Sequence, residues 1–140
     1  LGDVYKRQIF GYTILNDVSA RDVQTAHKQW YFGKSLDGFT PIGPCIVTAD
    51  AFADYPPRLG IRSFVNGEKR QDSNTALQIF DIDHVIAELS QGMTLKAGTI
   101  IATGTPAGVG MGMDPPQFLK PGDVVRCEIE GIGALTNPVK

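Results

Sequence analysis

The chain has 140 residues, 42% hydrophobic and 20% charged, with a formal net charge of -2 and a pI near 5.6, the composition of one soluble globular domain with a real core. Its basic residues, among them Arg58, Arg62, Lys69, Arg70 and Lys96, are scattered among acids, which argues against nucleic acid and anionic membrane as partners. No apolar run of about eighteen residues and no charged-then-apolar leader occurs, so membrane insertion and secretion have no support and a cytoplasmic location is the expectation.

Residues 1–8 (LGDVYKRQ) read as a non-native leader, leaving 9–140 as the domain. Residues 10–15 (FGYTIL) have the aromatic and β-branched character of a strand. Residues 19–30 are polar, with Val23 and Ala26 at helical spacing. Asp17 falls at the junction, where it can act either as a helix N-cap or as part of a site. Glycine and proline concentrate in 33–44 and 104–121 and predict a turn-rich β architecture. Residues 45–48 (CIVT) form a short strand, and 61–71 a hairpin whose Asn66-Gly67 tip suits a type I′ turn. Ile82, Val85, Ile86 and Leu89 share one helical face, with Asp81 as N-cap and Gly92 as the stop. Residues 99–103 (TIIAT) and 124–129 read as strands, and Gly131-Ile132-Gly133 joins the latter to residues 134–136.

Lys34 follows a glycine that lets backbone approach a ligand. A cation there can bind a carboxylate or an enolate oxygen, or it can be a solvated surface lysine. Residues 103–110 (TGTPAGVG) offer hydroxyls and free amides, but no Lys-Ser or Lys-Thr follows the glycines, so a nucleotide phosphate loop is excluded. An oxyanion site on backbone amides and a plain tight turn both remain open. His27 and His84, the only histidines, have no nucleophile motif nearby. Glu128 and Glu130 have the spacing of paired metal ligands, against a reading as the exposed face of a strand. Cys45 and Cys127 lack any CxxC or His context and read as buried thiols.

Five blocks in order, GYTILNDVSARDVQ, QWYFGKSLDGFTPIGP, VNGEKRQDSNT, LSQGMTLKAGTIIATGTPAGVG and FLKPGDVVRCEIEGIGALTNPV, resemble the fumarylacetoacetate hydrolase family over about residues 10–139. The resemblance implies an α+β, mainly β fold, a mixed-sheet roll or sandwich, usually a homodimer. It implies an enzyme that uses Mg, Mn or Ca to act on a small β-diketo or oxo acid such as an acylpyruvate, fumarylacetoacetate, hydroxyheptadienedioate or oxaloacetate. C–C bond hydrolysis is the first expectation, with isomerase or decarboxylase as the alternative. By position, Asp17 matches a metal carboxylate. Arg21 and Gln24 match polar residues beside the site. Lys34 matches a catalytic lysine near metal and substrate, and Gly104 and Thr105 the substrate-binding turn. The family's Glu-x-Glu pair and lid histidine belong to blocks upstream of FGYTIL, so the resemblance implies an N-terminally truncated catalytic domain, impaired or inactive alone. A non-catalytic dimerisation or binding module is the competing class.

Overall fold

Glycine is required at the start of the first strand, where a Cβ on Gly11 would lie 2.4 Å from the Val47 carbonyl oxygen of its neighbour. The computed structural model describes residues 2–140. β1 (Gly11–Leu15) and β2 (Ile42–Thr48) pair antiparallel, from Gly11 opposite Thr48 to Leu15 opposite Ile42. The register shifts between Tyr12 and Ile14, and the Thr13 hydroxyl satisfies the Cys45 carbonyl there at 2.8 Å.

The larger sheet has four strands in the order β4-β3-β5-β6, with β3 Gly60–Val65, β4 Glu68–Asn74, β5 Val124–Ile129 and β6 Gly133–Pro138. Every described pairing is antiparallel. The β3–β4 tip has φ of 52° at Asn66 and 82° at Gly67, the two left-handed residues that a type I′ turn demands. Ser63 faces Gln71 while Phe64 faces Lys69, so Arg70 is an extra residue, a bulge in β4. The sheets meet through β1 with β5 and β2 with β6. Near this junction the Cys45 thiol donates to the Ile132 carbonyl at 3.6 Å.

Four helices complete the α+β fold: α1 Gly2–Lys6, α2 Arg21–His27, α3 Trp30–Lys34 and α4 Ile82–Gly92. α4 begins as its sequence predicts, the Asp81 carboxylate accepting the His84 amide at 2.8 Å. It ends at Met93 in extended backbone rather than through a left-handed glycine. Among the described residues the buried apolar side chains are few: Ile14, Pro57, Ile86, Val125 and Ile132. No described helix is long and apolar enough to cross a membrane.

Three local expectations are corrected. Residues 99–103 form no strand, because no ladder partner lies beside them among the described residues. The helix expected over 19–30 breaks at Lys28, whose φ is 55°, and restarts at Trp30. Cys45 is exposed although its thiol reaches the Ile132 carbonyl, and Cys127 is half-buried, its thiol pKa raised by that burial.

Candidate functional site

The segment leaving β1 is held by backbone alone. The Asn16 amide donates to the Pro41 carbonyl at 3.0 Å and the Val18 amide to the Phe39 carbonyl at 3.1 Å, which fixes Asp17 between them. α2 starts at Arg21, three residues after Val18. Its N-cap is Ala20, without a side-chain bond, so Asp17 does not cap the helix. α3 packs on the start of α2 at Gly33: the Gly33 carbonyl accepts the Ala20 amide at 2.9 Å, and a Cβ on Gly33 would lie 2.9 Å from the Ala20 oxygen and from Gln24.

That close approach brings Lys34 to Asp17, Nζ donating to Oδ2 at 2.8 Å. Side-chain exposures of 27% and 48% leave the pair open to solvent. An ion pair that open is worth about 0–1 kcal/mol, too little to be why the fold places it there. Beside it, Arg21 Nη1 donates to Gln24 Oε1 at 3.0 Å. Gln24 is 3% exposed, and this bond gives its buried carbonyl oxygen a partner. Asp17, Arg21, Gln24 and Lys34 therefore form one group around the α2–α3 contact.

Gly104 and Thr105 belong to a second group. Gly104 has φ of 100°, with open space where a side chain would stand. The exposed Thr105 hydroxyl accepts from Gln71 Nε2 of β4 at 2.8 Å, and the same nitrogen donates to the Pro106 carbonyl at 2.8 Å. Arg70, at the bulge, bonds Gln117 Oε1 and contacts Met113 Sδ, and Gly108 approaches so closely that a Cβ there would lie 2.2 Å from the Arg70 carbonyl oxygen. Consecutive residues of a bulged strand thus hold one loop. No hydrogen bond joins the two groups among the described residues. Sequence reasoning missed Gln71 and Arg70, since their role depends on contacts 34 to 47 positions away.

The remaining candidates have structural employment. The Glu128 carboxylate pairs with Arg126 at 2.5 Å, and Glu130 accepts the Gly60 amide at 3.1 Å. His84 is exposed and stacks on Phe80, with centroids 4.6 Å apart. The His27 side chain lies outside the described residues. No group of three or more His, Cys, Asp or Glu among the described residues is placed to hold a metal ion. Asp17 alone does not make a donor set for a hard divalent cation, which takes six or more oxygens.

The family description "Fumarylacetoacetate (FAA) hydrolase C-terminal" matches residues 4–140. Oxaloacetate tautomerase YisK of Bacillus subtilis is 50% identical over 131 residues, covering 94% of this chain and 43% of its own length. A solved fumarylacetoacetate hydrolase from Exiguobacterium antarcticum superposes with a TM-score of 0.95 at 53% identity, over 100% of this chain and 50% of that one. A 2-hydroxyhepta-2,4-diene-1,7-dioate isomerase from Mycobacterium marinum does so with a TM-score of 0.85 at 45% identity, over 98% and 50%. The chain thus spans about half the length of the proteins it matches.

Proposed function

Because the chain belongs to the fumarylacetoacetate hydrolase family, whose members are hydrolases or isomerases, we propose that it carries part of an active site that turns over a small 2-oxo or β-diketo acid through an enolate. The observation that supports this best is the Lys34–Asp17 pair at 2.8 Å, left open beside Arg21 and Gln24. Loss of a proton from the carbon next to a carbonyl puts negative charge on the carbonyl oxygen, and a fixed cation lowers the cost of that charge. Lys34 is assigned that role. Arg21, always protonated and presenting a planar fork, is assigned the substrate carboxylate, with Gln24 fixing its orientation. Gly104 and Thr105 are assigned the remaining substrate oxygens.

Tautomerisation or isomerisation is the preferred reaction, supported by the 50% identity to a protein named oxaloacetate tautomerase. Hydrolytic C–C cleavage is the second reading, favoured by the likeness to the Exiguobacterium fumarylacetoacetate hydrolase. Family enzymes are generally dependent on a divalent metal. The described donors do not complete such a site, and Asp17 is assigned one ligand position for Mg or Mn. The test is to follow enol-to-keto conversion of oxaloacetate and cleavage of an acylpyruvate side by side, with Lys34→Met as the control. A loss on the order of a hundredfold in the oxaloacetate conversion is expected for Lys34→Met. Unchanged conversion in that variant overturns the assignment of Lys34, and acylpyruvate cleavage without oxaloacetate conversion favours hydrolysis.

A further inference from the structure

We propose that Gln71 is a positioning residue that forces the Thr105 hydroxyl to act as a hydrogen-bond donor toward the substrate. The proposal rests on the assignment of Thr105 to substrate binding above. It starts from the Pro106 carbonyl, 2.8 Å from the Gln71 side-chain nitrogen. A carbonyl oxygen only accepts, so the Gln71 amide must present its NH2 group on that side. Its oxygen then faces Ser63, and the Ser63 hydroxyl donates to it at 2.7 Å. With one amide hydrogen on Pro106, the other is aimed at Thr105 Oγ1, 2.8 Å away. The Thr105 hydrogen cannot point back at a donor, so it points away from β4. The chain of bonds runs Ser63 to Gln71 to Thr105, and each bond fixes the polarity of the next.

What Thr105 faces on the other side must therefore be an acceptor. A carboxylate or an enolate oxygen fits, and an ammonium or amide N–H does not. At the bulge, consecutive residues Arg70 and Gln71 both engage the loop that contains Thr105. Gln71 itself is not assigned any contact with substrate.

Gln71→Glu keeps the size and reverses the polarity at Thr105, because a carboxylate would draw the Thr105 hydrogen toward β4; it also gives up the bond to the Pro106 carbonyl, a loss common to both Thr105 backgrounds. The measurement is a double-mutant cycle of Gln71→Glu and Thr105→Val, reading kcat and KM for oxaloacetate conversion. Gln71→Glu is expected to lower kcat/KM on the order of a hundredfold. In the Thr105→Val background the same change is expected to cost about tenfold less than in the wild type, because the hydroxyl it reorients is gone and only the lost Pro106 bond remains. Equal losses in both backgrounds would mean that Gln71 only holds the loop, and would overturn the proposal. A readout independent of activity is solvent exchange of the Gln71 side-chain amide protons by NMR. Both are expected to be protected in the wild-type chain, with one losing protection in Thr105→Val; a proton already unprotected in the wild type would also overturn it. If the wild type turns over no oxo acid, as a chain that carries only part of an active site would not, the exchange experiment decides the relay by itself.

Discussion

A β-carbon on Gly33 would lie 2.9 Å from three atoms at once, the Ala20 carbonyl oxygen and Gln24 Cβ and N, two of them backbone and unable to swing aside. Gly33→Ala must therefore push α3 off α2, and Lys34, the next residue, moves with it. The variant is expected to lose about 1–3 kcal/mol by urea unfolding, in the manner of an overpacked contact. It should also lose most of whatever oxo-acid turnover the wild type has. Wild-type stability in Gly33→Ala would mean that the α2–α3 contact is looser than drawn. None of this was readable locally. Asp17 and Lys34 are 17 residues apart, and only resemblance to a family put them in one site; whether Asp17 capped a helix or met a cation needed the fold to decide. Gln71 had no sequence signal at all, because its work is done across a strand-to-loop contact.

The hairpin shows the opposite case, an element written locally. Asn-Gly at a tip needs only those two residues to adopt positive φ, and both do. Asp81 capping α4 is equally local. Residues 99–103 have strand composition, but a strand exists only through a partner, and its side chains cannot report whether one is present; Ile100 stands 62% exposed. Between these extremes lies the join of the hairpin tip to β5. Asn66 donates to Asp123 and accepts the Val124 amide, both at 2.8 Å, and Asp123 also accepts the Lys120 amide at 2.8 Å. The bond from Asn66, then that from the Lys120 amide, hold the Asp123 carboxyl below its ordinary range. A carboxyl lowered on folding contributes stability above its unfolded pKa of about 3.9, and that contribution is lost as pH falls through the lower folded value. Asp123→Asn is therefore expected to be less stable at pH 7 and to show a shallower loss of stability below about pH 4. Asp72, lowered chiefly by its bond to Lys69, keeps part of that slope in the variant. Parallel acid titrations of unfolding midpoints check it, and an unchanged slope would count against the Asn66–Asp123 join.

A compact monomer of 15.1 kDa should expose about 7,100 Å² by the usual scaling of area with mass, yet this chain exposes 9744 Å². The difference, about 2,600 Å², is some three times what one partner buries in a standard protein interface of about 800 Å². Much of it is apolar and spread over several elements: Trp30 and Tyr31 of α3 are 68% and 78% exposed, Phe10 before β1 75%, and Ile79 before α4 92%. Exposed apolar area of this extent is unfavourable by roughly 25 cal/mol per Å² relative to burial, so association that covers even a third of it is strongly driven. A homodimer is the assembly the family resemblance implies, and α3, which carries Lys34 at one end and the exposed aromatic pair at the other, would couple that interface to the site. Sedimentation velocity over a hundredfold range of concentration is expected to show dimers or larger species that grow with concentration, and a hydrophobic dye should bind the chain at low concentration and be displaced as it associates. A single monomeric species at all concentrations, with a sharp and reversible melting transition, would contradict this, because it would require the exposed apolar side chains to be stable in water with nothing covering them.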